Sequence, residues 1–160
     1  MKKIILILSF LIFNQTFCQN ENDESLDKVY VKVFGKCFKD LKPLEETKDF
    51  LPLKKISFCS LYQCVTRIQY SEIDKNMQEA ILKRTIEITT RLYNDKTPIY
   101  LISGMNSYGT ALEENQNLTD DNNLIYISVA DCLSSKALEK IKNIVNQQTL
   151  KLINKSKSKD

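Results

Sequence analysis

The chain has no histidine and no tryptophan, and only three glycines and three prolines among its 160 residues. Without histidine there can be no Ser–His–Asp or Cys–His arrangement and no imidazole metal ligand. No side chain then has an ordinary titration near neutral pH. Gly35, Gly104 and Gly109 are too few and too scattered for a phosphate-cradling loop or a dinucleotide-binding fingerprint. Beyond the N-terminal segment no apolar run is long enough to span a bilayer. The formal charge of +3 is close to balance and gives no electrostatic basis for nucleic-acid binding. No cofactor is expected from this inventory.

The N-terminus carries the clearest motif. Met1-Lys2-Lys3 is a positive start, Ile4 to Phe13 an apolar run, and Thr16-Phe17-Cys18 a small-residue cleavage pattern. This is the layout of a secretory signal peptide cleaved before Gln19, and the run is too short for a membrane span. Lipidation of Cys18 fits less well, because Gln15 and Phe17 stand where leucine and a small residue are usual. Losing Lys2 and Lys3 lowers the formal charge from +3 to +1. The mature protein is therefore expected to be exported, in a periplasmic or extracellular setting.

Cys37, Cys59, Cys64 and Cys132 would remain after cleavage. An even number in an oxidising compartment implies disulfides. On a shared strand, Cys59 and Cys64 would point to opposite faces, so Cys37 and Cys132 are the better partners for them.

The sequence divides into the signal (1–18), a polar linker (19–27), a domain (28–154) and a frayed basic tail (155–160). The best-marked element is the helix from Ser71 to Tyr93, opened by Ser71 and Asp74 and closed before Pro98. Ile73, Met77, Ala80, Ile81, Ile88 and Leu92 share an arc about 120° wide. A second arc of Leu82, Ile86 and Tyr93 implies contact on two sides, with internal packing the expected use.

Val29, Val31 and Val33 alternate with Tyr30, Lys32 and Phe34 and read as a strand. Ile56 to Tyr70 is rich in β-branched and aromatic residues and reads as a long or bent strand, with a helix beginning before Ser71 as its rival. Ile99–Ile102 and Leu124–Val129 are short apolar runs suited to buried strands. Met105 to Asn123 is polar and reads as a long connection. A last helix, capped by Asp131 or Ser134, buries Ala137, Leu138, Ile141, Ile144, Val145 and Leu152. The expected fold is a single small α+β domain with about four mostly antiparallel strands and two long helices packed on one face. The alternative is a small α/β layer in which the central helix crosses between parallel strands.

Candidate binding residues fall in two places. Ser103, Asn106, Ser107 and Tyr108 follow a strand and offer hydroxyls, an amide and adaptable backbone. Arg84 and Arg91 flank Glu87 on the central helix, as an anion-binding pair or an ordinary ion-pair ladder. Asn115, Asn117, Thr119, Asp120 and Asp121 lack the spacing of a calcium loop, so no metal site is expected. The function that fits is an exported binding or inhibitor-type protein without catalytic activity, acting on another exported protein or a small ligand. The alternative is a hydrolase using Ser103, Ser107 or carboxylates such as Glu72, Glu79, Glu113 and Glu114. Mass spectrometry of the mature protein should find its N-terminus at Gln19, and recovery of an intact Met1 form from the cytoplasm would refute export.

Overall fold

The computed structural model describes residues 23–42, 44, 59–70, 73–116 and 123–158. The signal-peptide reading, Ser71 and the first three residues of the Ile56–Tyr70 strand lie outside these residues. In chain order the elements are α1 (Asp23–Phe34), α2 (Leu61–Tyr70), α3 (Lys75–Asn94), β1 (Ile99–Ser103), α4 (Ser107–Gln116), β2 (Ile125–Ala130) and α5 (Lys136–Lys157).

β1 and β2 pair in parallel, with Ile99 opposite Ile125 and Ile102 opposite Ser128. They form the only sheet among the described residues. Parallel neighbours need a crossover. α4 supplies it, in the middle of the stretch whose low apolar content suggested a loop.

Among the described residues, five helices around two parallel strands overturn the expectation of about four mostly antiparallel strands with two long helices. The α/β alternative had parallel strands, but assigned the crossover to the central helix, which precedes both of them. Two stretches read as strands are helical. In α1 the valine alternation misleads, because Val29 with Val33 and Tyr30 with Phe34 are also i,i+4 pairs. Val33 and Phe34 are buried, while Val31, two positions before Val33, is 73% exposed. In α2 the buried residues are Leu61, Cys64, Val65 and Ile68, the i, i+3, i+4, i+7 pattern of a helix face. A reciprocal capping box opens it. Ser60 N donates to Gln63 Oε1 (3.0 Å) and Gln63 N donates back to Ser60 Oγ (3.3 Å).

α3 starts later than expected. Its N-cap is Asp74, whose Oδ1 accepts from Met77 N at 2.9 Å. Met77, Ala80, Ile81, Ile88 and Leu92 are buried. The second arc splits: Leu82 is buried, Ile86 is 40% exposed, and the Tyr93 hydroxyl donates to Ser156 Oγ on α5. Packing on two sides therefore holds for only part of that arc. The core joins α3 and α5 to the sheet through Ile81, Ile88, Leu92, Ile99, Leu101, Ile127, Leu138, Ile141 and Val145.

Both strands are edge strands, and both edges are closed by asparagine. Asn146 of α5 accepts from Leu101 N through Oδ1 (2.7 Å) and donates Nδ2 to Leu101 O (2.8 Å). Asn115 of α4 makes the same pair of bonds with Tyr126 N and O, both at 2.8 Å. Each carboxamide stands in for the peptide group of a missing strand, satisfying a donor and an acceptor that would otherwise be orphaned. The Tyr30 hydroxyl of α1 donates to Ser128 O further along the β2 edge.

Cys37 and Cys59 form a disulfide, with Cα atoms 4.8 Å apart, and Cys64 and Cys132 are free. Cys132, expected as a partner, is exposed on the loop after β2. Cys64 is buried, and desolvation pushes its thiol up to about 12. It is a packing residue rather than a reactive one. Closing a loop of 22 residues contributes about 3 kcal/mol through the unfolded chain.

The Asn146 pair is buried, so Asn146→Leu strands one N–H and one C=O. Urea denaturation should show a loss of about 2–5 kcal/mol, against about 1 kcal/mol for the part-buried Asn115→Leu. Equal losses at the two positions would refute this account of the edges.

Candidate functional site

Because the strands are parallel, their carboxyl ends lie side by side, the place where open α/β sheets hold ligands. β1 ends at Ser103. Its hydroxyl donates to Glu139 Oε1 (2.7 Å) and accepts from Lys142 Nζ (2.7 Å). Lys142 Nζ also pairs with Glu139 Oε2 at 2.6 Å, and Ser134 Oγ donates to Glu139 Oε1 at 2.6 Å.

The spacing of α5 puts these groups there. Glu139, Lys142 and Asn146 lie within about 60° on one helix face. Moving from Asn146 to Lys142 travels about 6 Å along the helix, and from Leu101 to Ser103 about 6.6 Å along the strand. α5 therefore runs antiparallel to β1. With Asn146 fixed on Leu101, Lys142 and Glu139 arrive at Ser103.

A second hydroxyl pair lies beside the first. Ser107 Oγ donates to Ala130 O (2.9 Å) and is 2.6 Å from Ser128 Oγ. Ser107 has one proton and spends it on the carbonyl, so Ser128 is the donor between the two. Ser107 is held at the start of α4, where its N–H donates to Gly104 O after Asn106 has adopted φ 62°. Gly109 allows Asn106 to fold back, since a Cβ there would meet Asn106 Oδ1 at 2.6 Å.

The charged groups of this network are paired with one another. Hydrogen bonds from Lys142, Ser134 and Ser103 lower the Glu139 carboxyl to about 2. A carboxylate that releases its proton so readily is a weak base for the Ser103 hydroxyl. The Lys142 ammonium already gives its protons to Glu139 and Ser103. Around this polar centre, Met105 on the loop after β1 is 89% exposed and Leu133 on the loop after β2 is 90% exposed.

No family model, characterised protein or solved structure matches this chain. The functional reading rests on the geometry alone.

The candidate residues separate into two groups. Ser103, Asn106, Ser107 and Tyr108 come together at the carboxyl end of the sheet, with Tyr108 exposed at its rim. Arg84 and Arg91 do not join them. Arg84 is buried, donating to Glu87 and to the Lys42 carbonyl, and its Nε has no partner. Arg91 pairs with Asp40. Asn115 closes a sheet edge, while Asn117, Thr119, Asp120, Asp121 and Glu72 lie outside the described residues. Glu79, Glu113 and Glu114 are exposed.

Glu139 and Lys142 were not singled out from the sequence. The available signal was an acid and a base at i and i+3 in the opening turns of a helix that closely follows a strand. The N-cap of that helix is Ser135, accepting from Leu138 N (3.1 Å), rather than Asp131 or Ser134.

The folded carboxyl of Glu139 lies below the ordinary glutamate value of 4.5. Its stabilising contribution is therefore present above about pH 4.5 and lost as pH falls towards 2. Glu139 is more than one-third exposed, so screening limits the contribution to about 1 kcal/mol or less. Glu139→Gln should be less stable than wild type by that amount at about pH 6 and equal to it near pH 2, read by chemical denaturation.

Proposed function

We propose that this chain is a non-catalytic, exported binding protein that takes another exported protein at the carboxyl end of its sheet. The observation that carries this reading is the pair of large apolar side chains, Met105 and Leu133, standing almost fully in water on the two loops that leave the parallel strands. Neither contributes core burial. Together they flank a fixed polar cluster of Ser103, Glu139, Lys142 and Ser134. Apolar anchors beside held hydrogen-bonding groups are the composition of a protein-docking patch. The disulfide supports an oxidising location, and no helix among the described residues is long and apolar enough to cross a membrane.

The hydrolase reading has one observation in its favour, Lys142 Nζ at 2.7 Å from Ser103 Oγ, a contact that serine–lysine enzymes also use. It requires a lysine free to accept a proton, and Lys142 Nζ is already paired with Glu139 Oε2 at 2.6 Å.

Two measurements test the proposal. A photo-reactive residue placed at Met105 or Leu133 should give a discrete protein adduct in the producing cells, and one at Asn94, at the opposite end of the sheet, should not. A fluorophosphonate probe should leave Ser103 unlabelled. Absence of adducts at both rim positions, or covalent labelling that Ser103→Ala removes, would overturn the binding reading.

A further inference from the structure

α5 has a third face that neither the core nor the candidate site uses. Over Lys136–Lys157 the helix carries six lysines and a single acid, Glu139. Its net charge of +5 exceeds the +3 of the whole chain, so the remainder of the protein is net acidic. Lys142 is committed to Glu139 and Ser103. Lys136, Lys140, Lys151, Lys155 and Lys157 are exposed, and none has a carboxylate partner among the described residues.

These charges form a ridge. Lys136, Lys140, Lys151 and Lys155 fall within an arc of about 120°, interleaved with Asn143, Gln147 and Asn154, and extend over about 28 Å of helix. All of these side chains are exposed, whereas Leu138, Ile141 and Val145 on the far side are fully buried. Leu150, at the edge of the ridge, is also exposed.

We propose that this face of α5 lies on a phospholipid surface rich in anionic headgroups. A straight row of ammonium groups on flexible stems matches a plane of phosphates, each lysine acting as a point charge. The interleaved amides can donate to the same oxygens, and Leu150 can enter the headgroup boundary. Nucleic acid fits the ridge less well. α5 has no arginine to fork onto base edges and no aromatic residue on which a base could stack. The inference does not depend on the protein-binding rim, since it uses other residues and other chemistry.

Sedimentation of the purified protein with vesicles provides the test. The protein should sediment with mixed phosphatidylglycerol–phosphatidylcholine vesicles, remain in solution with phosphatidylcholine alone, and dissociate as salt is raised. Each lysine removed should weaken binding about fivefold, so the triple variant Lys140→Gln, Lys151→Gln, Lys155→Gln should lose about a hundredfold. These positions are exposed, and an unchanged thermal midpoint shows that the variant remains folded. Failure to bind phosphatidylglycerol vesicles, equal binding to both vesicle types, or undiminished binding by the folded triple variant would overturn the proposal. Tighter binding to single-stranded DNA or polyphosphate than to vesicles would overturn it in favour of a linear polyanion.

Discussion

A sheet of two strands has no interior strand, and every outward N–H and C=O must be met by something else. In this protein the answer is side-chain amides. Asn146 and Asn115 each bond both peptide groups of one strand residue, Leu101 on β1 and Tyr126 on β2. This requirement fixes the helices in rotation and in translation. Along α4, Asn115 to Ser107 spans about 12 Å, and along β2, Tyr126 to Ala130 spans about 13 Å. Ser107 therefore reaches Ala130 O when Asn115 reaches Tyr126. The same matching on α5 brings Lys142 and Glu139 to Ser103. The polar cluster at the carboxyl end of the sheet is thus a geometric consequence of how its edges are closed.

Charge is distributed unevenly through this frame. Arg84 lies in the interior with one side-chain nitrogen unsatisfied, a costly placement that its bonds to Glu87 and the Lys42 carbonyl only partly offset. It also lowers the thiol pKa of nearby Cys64, though burial outweighs it and keeps that thiol protonated. Among the described residues, one disulfide stands beside one inert buried thiol and one exposed thiol at Cys132, which is next to Leu133 on the rim.

The sequence was legible wherever one periodicity had no competitor. α3 and α5 are long enough for a 3.6-residue period to stand out, and β1 and β2 are short apolar runs bounded by polar residues. α1 was misread because Val29 and Val33 fit both periods, while the intervening Val31, exposed on the helix, completes a strand-like alternation. α2 was misread because Val65, Thr66 and Ile68 favour strands by type while Leu61, Cys64, Val65 and Ile68 form a helix by spacing. The Ser60–Gln63 capping box was the signal that could have decided between them. α4 was hidden for another reason. Only Ser107 and Ala111 of its described residues are buried, so it approaches the sheet through small side chains and carries little apolar patterning. Of the site, the loop residues Ser103 to Tyr108 were visible because they follow a strand. Glu139 and Lys142 were not, because their role depends on the register between α5 and β1, which no local pattern encodes.

α5 shows how little freedom this arrangement leaves. One side of the helix presents Leu138, Ile141 and Val145 to the core, the adjoining strip presents Glu139, Lys142 and Asn146 to β1, and the outer side carries the exposed lysines. A shift of one residue in register rotates every position by about 100°. It would move Asn146 away from Leu101, turn Lys142 away from Ser103, and bring a cationic residue towards the core. Ile144 and Leu152, both partly buried, flank the buried set, so the apolar contacts tolerate small rotations of the helix that the two hydrogen bonds of Asn146 do not. Specificity of packing here therefore comes from a buried amide, and the placement of both the polar cluster and the basic ridge follows from it.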